Sequence, residues 1–133
     1  MRAVVFVFLL LPTLALAQDG AEVRKMYEAG RYRQVVERSN DASAPDVIYT
    51  AAQSHQKLGA ADQAREAYAQ LASRSDGDPG HFIGLSGQQL LDHQADAGVE
   101  SAREAIGQDG DLAEAHLQLG LSLAKRDGRP GAA

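Results

Sequence analysis

The chain has 133 residues, Lys+Arg 13 against Asp+Glu 18 for a formal net charge of −5, 5% aromatic residues, no tryptophan and no cysteine. That length suits one domain, and so few large side chains exclude a single thick core while allowing thin layers of Ala, Leu and Val between paired helices. The acidic balance argues against nucleic-acid binding, which needs clustered Lys and Arg to displace counterions from phosphates, and the lack of cysteine excludes disulfides and lipidation at an N-terminal Cys.

Met1-Arg2 supplies one positive charge, Ala3 to Leu11 is an unbroken apolar run, and Pro12-Thr13 breaks it before Ala15-Leu16-Ala17 places small residues where a signal peptidase reads. Residues 1–17 are therefore expected to be a secretory signal peptide cleaved before Gln18, sending the domain 18–133 to the periplasm or outside the cell. A retained membrane anchor is the competing reading. The apolar stretch falls short of the ~20 residues that span a bilayer, and Pro12 interrupts it, so no stable membrane span is expected after cleavage. Losing Arg2 takes the net charge from −5 to −6. With no cross-links, stability must come from packing between helices.

Helix formers from Ala21 to Ala29, with Val23, Met26 and Tyr27 on one side, predict a helix stopped by Gly30. Tyr32 to Arg38 predicts a shorter partner carrying Val35 and Val36, followed by a loop from Asn40 to Ala44. Pro45 suits a first helical position. Ile48, Ala51, Ala52, His55 and Leu58 then recur at steps of three and four up to Gly59. Ala64, Ala67, Tyr68 and Leu71 form the stripe of a second helix from Ala61 to about Arg74. Asp78 is placed to cap a helix from Pro79 to Asp92. That helix shows Phe82, Leu85, Ser86 and Gln89, and its partner, about Ala95 to Ile106, shows Val99, Ala102, Ala105 and Ile106.

Gly84, Gly87 and Gly98 weaken this pair by about 1 kcal/mol each relative to Ala, which predicts the softest part of the chain, and His93 stands where the preceding turn had Gly59. Asp111 with Glu114 predicts a capping box for a helix from Leu112 to Lys125 with Leu119, Gly120 and Leu123 facing inward, ended by Asp127-Gly128. Gly131-Ala132-Ala133 can only begin a further helix. The hairpins are thus expected at about 20–40, 45–75, 79–107 and, incomplete, 111–133.

Set above one another from Pro45 and Pro79, the residues agree in kind at a spacing of 34: Ala52, Ser86 and Gly120 share a small-residue column, Ala51, Leu85 and Leu119 an apolar one. Ile48, Phe82 and His116 share a bulkier column, followed by Tyr49, Ile83 and Leu117. That is the period of a helix–turn–helix repeat. The first pair is shorter, Gly30 to Gly59 spanning 29 residues, as a terminal repeat with one unpartnered face would be.

The stretches AAQSHQKLGAADQAREAYAQL (51–71) and AEAHLQLGLSLAKRDGRPGAA (113–133) resemble tetratricopeptide (TPR) repeats through Ala51-Ala52, His55, Gly59, Ala64 and Tyr68, and through Leu119-Gly120 and Gly128. The likeness covers about 21–133 and is weakest over 79–108, where His93 and Gly98 depart from it; Sel1-like repeats and other α-solenoids share such Ala/Leu patterns. It implies an all-α fold, an α-solenoid of about three and a half antiparallel helix pairs wound as a right-handed superhelix, whose first helices line a concave groove for a peptide or partner domain. By matching position, the groove residues implied are Tyr49, Gln53, Gln56 and Lys57, then Ile83, Gly87, Leu90 and Leu91, then Leu117, Leu121 and Lys125. The Lys/Arg/Asn cluster with which some members grip a C-terminal carboxylate is absent. The competing reading of Tyr49, Ile83 and Leu117 is packing between neighbouring helices.

Little in the sequence points to chemistry. His55, His81, His93 and His116 are not paired at three or four residues on a helix, so no metal site is expected. Gly84-Leu85-Ser86-Gly87 falls short of a nucleophile elbow in spacing and lies in a helix. Asp76-Gly77-Asp78 and Asp109-Gly110-Asp111 lack the further oxygen ligands of a calcium loop. Arg24, Lys25, Arg31 and Arg33 read as a solvated face. The expectation is an exported scaffold or adaptor that binds a protein or peptide, without enzymatic activity, cofactor or metal. The alternative is a fragment or self-associating module, because nothing follows to cover Leu119 and Leu123.

Overall fold

The computed structural model describes residues 11–40 and 43–128, and the side chains from Asp19 onward. Residues 3–10 of the apolar run expected from Ala3 to Leu11, and the expected helix start at Gly131, lie outside these residues. Among the described residues there are seven helices and no strand: α1 (Leu11–Glu28), α2 (Tyr32–Arg38), α3 (Pro45–Lys57), α4 (Ala61–Ala72), α5 (Pro79–Leu91), α6 (Ala95–Gln108) and α7 (Ala113–Arg126). α1 begins ten residues before the expected Ala21. None of these helices is long and apolar enough to cross a membrane.

Helix starts keep the sequence period: α3, α5 and α7 open at 45, 79 and 113, and α4 and α6 at 61 and 95. The turns repeat as well. Ala60 N–H reaches back to His55 C=O at 2.8 Å, Gln94 N–H to Gln89 C=O at 2.8 Å, and Arg31 N–H to Met26 C=O at 2.8 Å. Each is the long bond of a Schellman cap, and each needs a left-handed residue, filled by Gly59 (φ 73), His93 (φ 61) and Gly30 (φ 74). At α5 the N-cap is the expected one, Asp78 accepting from Gly80 N–H at 2.8 Å. The expected capping box at α7 does not form. Leu112 is the N-cap, Asp111 N–H donates to the Asp109 carboxylate at 3.1 Å, and Glu114 is drawn off by Arg24.

Consecutive helices pack together, and α3 also touches α1 while α5 also touches α7. Burial follows the 34-residue columns: Ala52 with Ser86, Ala64 with Gly98, Tyr68 with Ala102 and Leu71 with Ala105 are all buried. One core joins Ile48, Tyr49, Ala64, Tyr68, Leu71 and Ile83 to Ala105 and Ala115, and a second joins Val23, Val35, Val47 and Ala51 near the N-terminal pair.

The columns fail at α7. It buries Ala115, Gln118 and Ser122, whereas Leu119 and Leu123 are half-buried and Gly120 is open, with nothing within 4 Å of the place a Cβ would take. His116, expected in a packing column, is exposed and donates from Nε2 to Gly110 C=O at 2.6 Å. α7 packs against α6 and α5, and the side it turns to them carries Ala115, Gln118 and Ser122 in place of the expected Leu119, Gly120 and Leu123.

The three glycines expected to soften α5 and α6 sit at close approaches. A Cβ on Gly84 would fall 2.5 Å from Tyr68 C=O and nearer still to Ala72 N, so α4 and α5 meet backbone to backbone. One on Gly87 would collide with the Tyr68 ring, and one on Gly98 with the Leu90 side chain. The helix propensity lost at these positions is the condition for the layer to close.

Candidate functional site

A cleft runs between α1, α3 and α7, with α5 at its base. Its larger chamber, ≈ 500 Å³, is lined from the implied groove set by Gln53, Gln56 and Lys57 of α3, Leu90 and Leu91 of α5, and Leu117, Leu121 and Lys125 of α7. A second chamber of ≈ 290 Å³ shares Tyr27, Gln53 and Leu117 with the first and extends to Arg24, Glu28 and Glu114. Three implied groove residues stand differently. Tyr49 and Ile83 are each only 3% exposed and belong to the core, and buried Gly87 lies under the Tyr68 ring. Leu117, in the same column as Tyr49 and Ile83, is 50% exposed.

The floor of the cleft is polar and bonded. Gln53 donates from Nε2 to the Tyr68 hydroxyl at 2.6 Å, Gln56 donates to the same oxygen at 3.3 Å, and Tyr49 donates its hydroxyl proton to Gln118 Oε1 at 3.0 Å. Burial pushes both phenols above their ordinary pKa, and for Tyr49 the neighbouring Tyr68 and Glu114 push further the same way. Both therefore stay protonated over the physiological range and act as fixed hydrogen-bonding groups. Packed edge-on with ring centroids 6.3 Å apart, they hold α3 against α4. The Tyr49–Gln118 bond joins α3 to α7 across the chain, and the Arg24–Glu114 ion pair at 3.0 Å joins α1 to α7 at the other chamber.

Tyr27, Tyr68 and Gln118 also line the large chamber and were not among the residues implied by the resemblance. Gln118 shares a column with Thr50 and Gly84, so its type carries no repeat signal. Tyr27 belongs to the first pair, which lies outside the 34-residue register. Tyr68 was visible as a packing residue, but not as one whose hydroxyl reaches the cleft floor.

The histidines are dispersed. His81 donates from Nδ1 to Ala72 C=O at 2.6 Å, and burial pushes His55 below its ordinary pKa against a smaller opposing pull from Glu66. Among the described residues no three His, Asp or Glu side chains are grouped to hold a metal ion. The cleft thus offers leucine walls, amide and phenol groups on its floor, and lysines at one end. That set can bind a chain segment by burial and hydrogen bonding, and it contains no paired acid and base or activated nucleophile. Comparison with protein-family models and with curated proteins finds no match to this chain.

Proposed function

We propose that this chain is an exported, non-enzymatic scaffold of TPR-like α-solenoid form, its helix pairs wound as a right-handed superhelix, that holds a segment of another protein in the cleft between α3 and α7. The observation that carries the reading is that eight of the groove residues implied by the resemblance line one chamber of ≈ 500 Å³. Its size matches the clefts that bury ligands with mostly apolar walls and a few placed polar groups. Leucines of α5 and α7 would take apolar side chains of the guest, and the amides of Gln53 and Gln56 would face its backbone. Tyr49 lines the smaller chamber, Ile83 packs in the core, and Leu117 is the exposed anchor.

Export before Gln18 fits the contacts by which α1 is held: Glu22 to Arg38 at 2.8 Å, buried Val23, and Arg24 to Glu114 at 3.0 Å all come from residues that cleavage would keep. A second reading, association of α7 with another copy, is favoured by Leu117 and open Gly120 on its surface.

One experiment addresses both. Peptides selected by display on the mature domain should bind the wild type and lose at least about tenfold in affinity with Leu117→Glu, while circular dichroism of the variant is unchanged. Failure to enrich any peptide, or equal binding by the variant, rejects the cleft. A dimeric mass that Leu117→Glu converts to monomer supports the second reading instead.

A further inference from the structure

The cleft does not stop at its smaller chamber. A third hollow of ≈ 170 Å³ shares Tyr49 and Glu114 with that chamber and lies where α3, α5 and α7 begin. Its floor is the buried Tyr49, Leu71, Gly80 and Ile83, and Pro45, Pro79 and Leu112 stand half-buried at its rim. The shape is a cup with an apolar base.

The polar groups around the cup are already engaged. Asp78 accepts from Gly80 N–H at 2.8 Å and from Arg74 Nε at 2.6 Å. Glu114 is paired with Arg24 at 3.0 Å, and Asp46 accepts Val47 N–H at 2.9 Å. The Tyr49 hydroxyl donates to Gln118 at 3.0 Å. Pro45 and Pro79 carry no N–H at the first positions of α3 and α5. A polar or charged guest group would lose its water here without gaining equivalent partners. Size sets the other limit, since an apolar cavity of about 150 Å³ takes a benzene-sized group.

Resting on the cleft reading above, we propose that this cup is the specificity pocket of the cleft and takes one leucine- or phenylalanine-sized side chain of the guest. Tyr49, which lines both hollows, marks where the guest passes from the smaller chamber into the cup. Leu71 and Ile83 bury the inserted side chain, and Leu112 at the rim sets the size accepted. Leu112 serves the start of α7 through its backbone, its C=O accepting from Ala115 N–H at 3.1 Å, so its side chain can be shortened without removing that bond.

The test displays one library of random peptides against the mature domain, Leu112→Ala and Ile106→Ala. Ile106 packs on the same core as Leu112 but lies outside the cup, so its truncation controls for lost stability. Wild type and Ile106→Ala should enrich peptides with Leu, Ile, Met or Phe at one fixed position, and Leu112→Ala should shift that position alone to Phe or Trp. For the best wild-type peptide, changing that residue to Ala should weaken binding at least about tenfold by fluorescence anisotropy. If circular dichroism shows Leu112→Ala unfolded, Leu112→Val is read in the same way. An enriched motif unchanged by the Leu112 variant, or changed equally by Ile106→Ala, overturns the cup and leaves the cleft reading standing. Enrichment of Asp or Glu at that position overturns the apolar assignment in favour of the helix starts. Failure of the wild type to enrich any peptide overturns both cup and cleft.

Discussion

The hairpins α3–α4 and α5–α6 are the same frame filled in opposite ways. The first is bulky: Tyr49 and Tyr68 pack edge-on and Gln53 and Gln56 bond the Tyr68 hydroxyl. At equivalent columns the second has Ile83, Gly87 and Ala102, and the ring that fills the space over Gly87 is Tyr68 of the preceding pair. The turn of the first uses Gly59 and that of the second His93, at nearly the same φ. Large and small residues therefore complement each other between successive copies. A repeat can drift from its own pattern without loosening, provided its neighbour drifts to match.

The strongest way to break this complementarity is Gly84→Ala. Helix propensity alone favours alanine by about 1 kcal/mol. The new methyl, however, meets Tyr68 C=O and Ala72 N, which are backbone atoms of α4 and cannot rotate aside. Overpacking of this kind costs about 1–3 kcal/mol or more, so the net expected effect is a loss of about 2 kcal/mol. Thermal unfolding should show a Tm roughly 8 °C lower. The same change at Gly120, open on α7, should raise stability by the propensity term alone. A stabilised Gly84→Ala would mean that α4 and α5 do not approach as described.

The turns sharpen the comparison at smaller amplitude. A non-glycine residue in the left-handed region costs about 1–2 kcal/mol, and glycine returns part of that through the greater freedom of its unfolded chain. His93→Gly should stabilise by about 0.5–1 kcal/mol, and Gly59→His should destabilise by a similar amount. Urea midpoints moving in opposite directions with equal slopes would show that the two turns are interchangeable parts. A destabilised His93→Gly would show that the imidazole makes a contribution beyond its backbone.

Much of this was legible in the sequence because a period of 34 fixes which residues share a place. Pro45 and Pro79 mark helix starts, Gly59 and His93 mark turns, and Ala52 with Ser86 mark buried contacts. What a column cannot carry is whether a neighbour is present at that place. Tyr49 and Ile83 are covered and Leu117 is not, although all three share one column. The same reason misplaced the buried face of α7, where Gln118 and Ser122 take the interior and Gly120 does not. Close approach was hidden too, since a glycine reads as a weak helix residue until the opposing backbone is known.

The smallest contrast lies at the helix starts and depends on pH. α5 is capped from outside by Asp78, while α3 has Ala44 at that place and uses Asp46 within the helix, whose carboxylate accepts Val47 N–H at 2.9 Å. Burial pushes the Asp78 carboxyl up, but hydrogen bonds from Arg74 and Gly80 N–H, with the charges of Arg74 and His81, outweigh it and hold it below the ordinary 3.8. A carboxyl depressed in the folded state stabilises fully above its unfolded value, and that contribution disappears as pH falls through the folded one. The window is therefore below pH 3.8. Asp78→Asn keeps an acceptor for Gly80 N–H but cannot titrate, so the advantage of wild type over this variant should be constant near neutrality and shrink on acidification. Other carboxylates titrate in both proteins and cancel in the difference. Ala44→Asp should add a similar but weaker acid-labile increment at α3, below the ~1 kcal/mol of a typical cap, because Asp46 already holds one of the free N–H groups. Urea melts at several pH values measure both differences, and parallel curves for wild type and Asp78→Asn would show that the cap works as a hydrogen bond without its charge.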